Sequence, residues 1–441
     1  MPQKKSAKKS TAKRTANQGL RHITSINDLT NSEIETLFAA ADRYLSELGH
    51  SAVKHRIARS AKIAAGKILA TLFYEPSTRT RLSFESAALR LGGGTISSSD
   101  PATSSAAKGE SLADTVRVIS SYADVLVIRH PRDGAAKLAS EFADIPVING
   151  GDGAHEHPTQ TLCDLFTLRR EKSSLKGLNV VISGDLKGSR TVHSFVYALA
   201  RFAARIEMMP GALGMELPGH VDWRLREELG QRRDGDARRD AVYVAAKKPS
   251  RAKPDVVDIL YMTRFQKERW SDTQRNDYPT VDKAFLATGR YKHASVLHPL
   301  PRVGELSTEL DEMPGAAYFR QAAYGVPVRM ALIAALLDLE PGLSLKKFAK
   351  GFEASEYPVH VQPRELGLDC PNPNCITHDE HDGKYTTNGF YVVRPDRLRC
   401  FYCETDIEDL LSATKDGDDA FFASESAARK SGYRAHARAA E

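Results

Sequence analysis

The chain has 441 residues, 41% of them hydrophobic and 27% charged, which suits a globular protein of about three domains. No run of about 18 apolar residues marks a membrane span, and five cysteines are too few for a disulfide scaffold. The net charge of +6 raises nucleic acid as a partner, but it is concentrated: residues 1–22 carry +7, residues 224–253 carry +5, and the remainder sums to −6.

Residues 1–18 are Lys, Ser, Ala and Thr with almost no large apolar side chain. Such a stretch cannot offset its ordering entropy by burial and is expected to be a disordered basic tail. It lacks the apolar core of a secretory signal. From residue 19 short apolar runs alternate with helical periodicity. Strands are expected at 68–74, 125–129, 147–149, 180–183, 259–262 and 295–297, and helices at 79–91, 159–169 and 321–339. That alternation indicates parallel sheets covered on both faces, whose ligands bind beyond the carboxyl ends of the strands. Residues 224–255 break the pattern and read as a surface helix followed by a mobile, insertion-like loop. Pro341-Gly342 marks a boundary.

Polar clusters follow the expected strands. Glu75-Pro76-Ser77-Thr78-Arg79-Thr80-Arg81 follows the first and opens a helix. Ser and Thr suit an N-cap, free N–H groups at a helix start favour an anion, and an arginine fork matches phosphate. For Ser-Thr-Arg alone, a capped helix with surface arginines is an equal reading; Pro76 and the second arginine favour phosphate. Arg129 ends the second strand. His157 and Gln160 stand three apart across a helix start and can face one ligand, although a helix cap with a solvated histidine fits equally. His155, Glu156 and His157 are consecutive and lack metal-ligand spacing on a helix. Asp185–Arg190, Thr263–Arg269 and His298–Arg302 follow further strands. Each alone fits a polar loop; their joint occurrence at strand ends carries the argument.

The runs FYEPSTRTRLSFE, SSAAKGESLADT, IRHP, HPTQTLCDLF, GDLKGSRTVHS, YMTRFQKER, HPLPRV and QAAYGVPVRMAL stand in this order over about residues 20–340. Together they resemble the catalytic chain of the aspartate carbamoyltransferase family. The related ornithine enzymes carry H-C-L-P where this chain has His298-Pro299-Leu300-Pro301, and they lack the T-R-x-Q-K-E-R run. The resemblance implies an α/β chain of two doubly wound parallel-sheet domains, one for carbamoyl phosphate and one for L-aspartate. It implies a homotrimer or higher homo-oligomer with sites shared between subunits. By motif, Ser77, Thr78, Arg79 and Thr80 would bind phosphate. Thr80, Arg129 and His157 would contact the carbonyl oxygen, with Gln160 near the carbamoyl amide. Ser104 and Lys108 match a loop lent by a neighbouring subunit. Arg190, Arg264 and Gln266 would hold the two carboxylates of aspartate, and the Leu300 carbonyl would face the carbamoyl NH₂. Arg79, Thr80, Arg129, His157 and Gln160 are the expected catalytic set. Two departures stand out: Gly188-Ser189 replace the family's Tyr-Gly before Arg190, and Gly304 replaces an acid. Carbamoyl phosphate is a dianion and aspartate adds two carboxylates, so a site for both needs several cations, which agrees with the motif set, and the departing phosphate could accept the amine's proton. No organic cofactor is called for.

Cys370, Cys375, Cys400 and Cys403 form a C-x4-C-x24-C-x2-C pattern. Two close thiolate pairs fit a closed, tetrahedral, structural Zn²⁺ site with no open catalytic position. Cys163 is expected in the core of its helix. The run from Cys370 to Glu404 resembles the zinc domain of the family's regulatory chain. About 28 residues between Pro341 and Cys370 leave no room for that chain's nucleotide-binding domain. The expected organisation is a basic tail (1–18), a carbamoyl-phosphate domain (19–165), an aspartate domain (166–320), a helix returning to the first domain (321–341), a small β-rich zinc-binding domain (342–411) and a polar tail (412–441). A cytoplasmic enzyme acting on small anions is expected, without nucleic acid or membrane. The alternatives are another amine acceptor, or a weakly active scaffold binding partners through the tail and zinc unit.

Overall fold

The computed structural model describes residues 20–54, 59–98, 108–236, 241–245, 255–270, 278–345, 369–386, 389–394, 397–407, 411–415, 418–422 and 434–435. The basic tail 1–18, Ser104 and part of the 224–255 segment lie outside them. Among the described residues no helix is long and apolar enough to cross a membrane.

The first unit comprises helix α1 (Asn31–Lys54), strand β1 (Ile68–Phe73), α2 (Thr78–Arg90), β2 (Gly94–Ser98), α3 (Leu112–Ser120), β3 (Val125–His130), α4 (Ala135–Phe142), β4 (Val147–Asp152) and α5 (Pro158–Lys172). Its four strands lie parallel in the order β2-β1-β3-β4. Strands β1, β3 and β4 are buried along almost their whole length, as expected of a parallel sheet with covered faces. The boundary expected after residue 165 falls inside α5. The helix runs on because Leu165, Phe166 and Leu168 are buried in the core, and it stops at Ser173, whose φ is +62°.

The second unit comprises β5 (Asn179–Gly184), α6 (Arg190–Arg201), β6 (Arg205–Pro210), α7 (Gly219–Glu227), β7 (Gln231–Asp234), β8 (Val242–Ala245), β9 (Ile259–Met262), α8 (Lys283–Ala287) and β10 (Ser295–Leu297). The sheet order is β10-β9-β5-β6-β8-β7, parallel from β10 to β6 and antiparallel at β6-β8 and β8-β7. Part of the expected insertion-like loop is therefore an antiparallel ribbon. Its Tyr243 is buried, opposes Ile206 of β6 and donates to Asp222 at 2.6 Å. Helix α9 (Tyr318–Leu336) returns to pack on α1, α2 and α5. Leu343 and Leu345 belong to that same core, so the chain leaves the first unit later than residue 342.

The C-terminal unit holds β11 (Phe390–Arg394), β12 (Arg397–Cys400) and β13 (Asp406–Ile407) in one antiparallel sheet. Beyond it, β14 (Leu411–Lys415), β15 (Asp418–Phe422) and β16 (Arg434–Ala435) form another. The loosely ordered tail expected over 412–441 is corrected at these residues. An Asp-Gly pair at 416–417, between runs rich in Ala, Thr and Phe, is a hairpin signal that the polarity of the region hid.

Candidate active site

The carboxyl ends of β1, β3, β5, β9 and β10 open onto one cleft of about 880 Å³ between the two large units. It is lined by Ser77, Thr78, Arg79, Thr80, Arg129, His157, Gln160, Arg190, Arg264, Gln266 and Leu300. Eleven of the thirteen expected substrate-site residues are thus brought together. Ser104 lies outside the described residues. Lys108 is exposed and absent from the cleft wall.

Ser77 is the N-cap of α2, yet its side chain makes no capping bond, so the cleft meets the hydroxyl and the free N–H groups of the first turn. Arg129, at the end of β3, donates to the Gly150 carbonyl at 3.2 Å and pairs with Glu75 at 3.3 Å. Burial and the neighbouring Arg190 push its pKa down to about 9, leaving it cationic at neutral pH. Gly151 has φ +113°, and a Cβ there would stand 3.0 Å from the Arg129 guanidinium, so the backbone must come this close. His157 is the N-cap of α5, and its Nδ1 accepts the Gln160 N–H at 3.4 Å. The ring proton therefore sits on Nε2, which faces Thr80 Oγ1 at 3.5 Å. Burial and the cations Arg129, Arg190 and Arg329 hold His157 well below its ordinary pKa, so it is a neutral donor.

From the second unit, Arg190 starts α6 and pairs with Glu75 at 2.7 Å; its Nη1 is buried without a hydrogen-bond partner. Arg264 follows β9, donates to the Phe265 carbonyl at 2.9 Å and reaches Glu268 at 3.1 Å. Gln266 is anchored by its N–H on Asp185 at 3.1 Å. Leu300 has φ +54°, and its N–H donates to His298 Nδ1 at 2.8 Å; His298 Nε2 meets Glu305 at 2.7 Å. The two departures acquire local accounts. A Cβ at Gly188 would meet the Asp185 carboxylate at 2.7 Å, and Glu305 supplies a carboxylate beside Gly304.

Sequence reasoning assigned no role to Glu75, Asp164, Arg269, Gln321 or Arg329. Arg269 donates to the carbonyls of Gly153, at 2.6 Å, and Gly188. All five stand in quoted motifs, so position in the chain could have flagged them. Gln321 and Arg329 interrupt the apolar pattern of α9, and only their partners in the fold, Asp164 and Cys163, show what they do.

In the C-terminal unit all four cysteines are buried and none is in a disulfide. Cys370 and Cys403 have sulfurs 3.4 Å apart, Cys375 and Cys400 3.8 Å, and all four lie within 4.8 Å of one another. A tetrahedral metal with metal–sulfur bonds of about 2.3 Å spaces its sulfurs about 3.8 Å apart, so the donor set fits. Cys163, by contrast, is buried on α5 beside Arg329, as expected of a core residue.

The cysteine unit rests on both large units. Cys375, Ile376, Phe390 and Leu398 share a core with Leu112 and Val116 of α3 and Leu138 of α4. Asn372 and Asn374 donate to Asp133 at 2.7 and 3.0 Å. Gly134, at φ +84°, lies so close that a Cβ would stand 2.6 Å from Tyr402. On the other side Glu404 pairs with Arg224, and Arg399 pairs with Glu228 at 2.6 Å. Arg397 lies over the Trp223 ring at 4.3 Å.

Comparison with known proteins agrees with this anatomy. Residues 21–170 match the family "Aspartate/ornithine carbamoyltransferase, carbamoyl-P binding domain", and residues 176–336 its "Asp/Orn binding domain". Residues 364–410 match "Aspartate carbamoyltransferase regulatory chain, metal binding domain". The aspartate carbamoyltransferase catalytic subunit of Thermoplasma acidophilum is 46% identical over 322 residues, covering 72% of this chain and 98% of that protein. That of Methanocaldococcus jannaschii is 43% identical over 326 residues, covering 73% and 100%. Among solved structures, the M. jannaschii catalytic subunit aligns with a TM-score of 0.60 at 40% identity, over 73% of this chain and all of that one. Aspartate transcarbamoylase from Trypanosoma cruzi, in complex with N-(phosphonacetyl)-L-aspartic acid, gives 0.59 at 36%, over 72% and 96%. The chain is a carbamoyltransferase of the aspartate carbamoyltransferase family, its two catalytic-chain domains continued in one polypeptide by the metal-binding domain of the regulatory chain.

Proposed function

We propose that the cleft transfers the carbamoyl group of carbamoyl phosphate to the amine of L-aspartate, giving N-carbamoyl-L-aspartate and phosphate for pyrimidine synthesis. The observation that carries this reading is the convergence of Arg79, Arg129, Arg190 and Arg264 on one cleft at the carboxyl ends of strands from both units. The first turn of α2, with Ser77, Thr78, Arg79 and Thr80, takes the phosphate. Thr80, Arg129 and the neutral His157 donate to the carbonyl oxygen as negative charge grows on it. Gln160 and the Leu300 carbonyl accept from the carbamoyl NH₂. Arg190, Arg264 and Gln266 hold the two carboxylates of aspartate and set its amine beside the carbonyl carbon. The leaving phosphate takes the amine's proton. Ser104 and Lys108 reach the site of a neighbouring copy, which makes a homotrimer the smallest complete enzyme.

The four cysteines hold Zn²⁺ as a structural ion, with all four positions taken by protein. Four reduced thiols suit the cytoplasm. The zinc unit serves assembly without the allosteric nucleotide site. Tight binding of CTP or ATP with altered activity would contradict that last point.

The test is carbamoyl-aspartate formation by the purified chain. Arg79→Ala and Arg264→Ala should each lower kcat/KM by about 100-fold or more, the loss typical of removing a charged transition-state or orienting contact. Undiminished activity in both variants would sink the assignment. Turnover of another amine in preference to aspartate would move the reading to a different acceptor.

A further inference from the structure

Behind the cleft wall one carboxylate gathers three donors from three elements. Asp164, on α5, is fully buried. Its Oδ1 accepts from Gln160 Nε2 at 2.7 Å and from Gln321 Nε2 at 2.6 Å, and its Oδ2 accepts from the Tyr261 hydroxyl at 2.9 Å. Gln160 lies one turn earlier on α5, Gln321 on α9 and Tyr261 on β9.

An ionised carboxylate can only accept. Both amides must therefore turn their NH₂ groups toward Asp164 and their carbonyl oxygens away. For Gln321 the result is visible: its Oε1 accepts the His298 backbone N–H at 2.9 Å, at the head of the loop that carries Leu300. For Gln160, which lines the cleft, the same constraint leaves Oε1 for the cleft.

We propose that Asp164 is a positioning residue that fixes the amide polarity of Gln160, so that the carbamoyl NH₂ meets an acceptor and never a donor. Through Gln321 the same carboxylate steadies the Leu300 loop, so one buried group sets both acceptors assigned to that NH₂. This rests on the reading of the cleft as a carbamoyl phosphate site. It makes Asp164 a determinant of selectivity against acyl phosphates that carry a methyl in place of the NH₂. The structure's own donors would otherwise permit either amide orientation, because a freely rotating glutamine can present N or O at nearly the same point.

The experiment compares the KM for carbamoyl phosphate with the competitive inhibition constant of acetyl phosphate in the full chain and in Asp164→Leu. It is run at pH 8, where Asp164, raised to about 6 by burial, is ionised. Both glutamines donate to Oδ1, and a leucine offers neither of them an acceptor, so nothing then holds the Gln160 NH₂ inward and either end of that amide can face the cleft. The expected result is an approximately 10-fold narrowing of the carbamoyl-over-acetyl preference, the effect of about one hydrogen bond. Binding of inorganic phosphate, held at α2, should stay unchanged. An equal loss for both acyl phosphates, with the ratio intact, would overturn the proposal and leave Asp164 as fold support. If Asp164→Leu does not fold, Gln160→Met removes the acceptor while leaving the buried carboxylate and Gln321 in place. It should narrow the ratio similarly; an unchanged ratio overturns the proposal. A parent chain with no preference for carbamoyl phosphate would instead sink the underlying reading of the cleft.

Discussion

Replacing Glu404 by Gln should loosen the metal-binding unit from the second large unit. Glu404 follows Cys403 directly, and its carboxylate meets Arg224 of α7 while standing 3.8 Å from His155 Nε2. The side chains are 24% and 14% exposed. Removing one partner from such a pair strands the other; the cost for fully buried pairs is about 3–5 kcal/mol. Arg224 keeps Glu228 at 3.1 Å, which places this case at the lower end, about 3 kcal/mol. At 1.4 kcal/mol per decade, the opened population should rise roughly 100-fold. The assay is metal release to a chelator, with emission of Trp223, which lies under Arg397, as a second readout. The chain has two tryptophans, so a Trp270→Phe background leaves Trp223 as sole reporter. Arg224→Met together with Glu404→Gln should recover part of the loss, since no stranded guanidinium remains. Unchanged release and unchanged Trp223 emission in Glu404→Gln would refute the view that this unit rests on α7 of its own chain.

Gly134→Val should strain the opposite contact, because a Cβ there would overlap Tyr402 at a backbone φ of +84°; faster amide exchange over residues 397–407 would show it. Chelation should release the four cysteines and expose the apolar faces of α3 and α4 that pack on them, seen as dye binding reversed by added zinc. Stability should fall in acid. His22 and His130 are held at about 4, chiefly by burial, with Nδ1 accepting from Val147 N–H and Arg132 N–H, both at 3.1 Å. Their folded pKa lies below the unfolded value, so their contribution is intact above about 6.5 and is lost as pH drops. At pH 5 each removes about 2 kcal/mol, which denaturant melts at pH 7 and 5, with His130→Gln as a control, would measure.

The parallel strands were legible because their apolar runs are bounded by polar clusters. The expected strands at 259–262 and 295–297 coincide with β9 and β10. Strand β2, Gly-Thr-Ile-Ser-Ser at a half-exposed edge, has no apolar run to read. Strand β6 hides behind Arg205 and Glu207, which pair with each other at 2.9 Å inside the strand. Of the cleft, strand-end loops could be read from order and residue type. Asp164, Gln321 and Arg329 could not. Each is a polar residue buried within a helix, and its meaning lies in partners 97 to 166 positions away.

The pairing of the cleft arginines has a thermodynamic consequence. Arg190 already holds the carboxylate of Glu75, and Arg264 that of Glu268. An incoming dicarboxylate therefore trades places with resident carboxylates, and at Arg190 it also meets the one donor, Nη1, that the resident carboxylate leaves unpartnered. Such an exchange conserves the number of ion pairs at each arginine. Its free energy comes from the difference between two similar contacts, so affinity for aspartate should be modest and only weakly dependent on salt. The displaced side chains retain other cations to turn to: Arg129 and Arg269 stand 3.3 and 3.9 Å from Glu75. Loading the cleft is thus a rotation of partners within a closed set of charges, and release of product reverses it without a strong anion ever having to be pulled from an unpaired guanidinium.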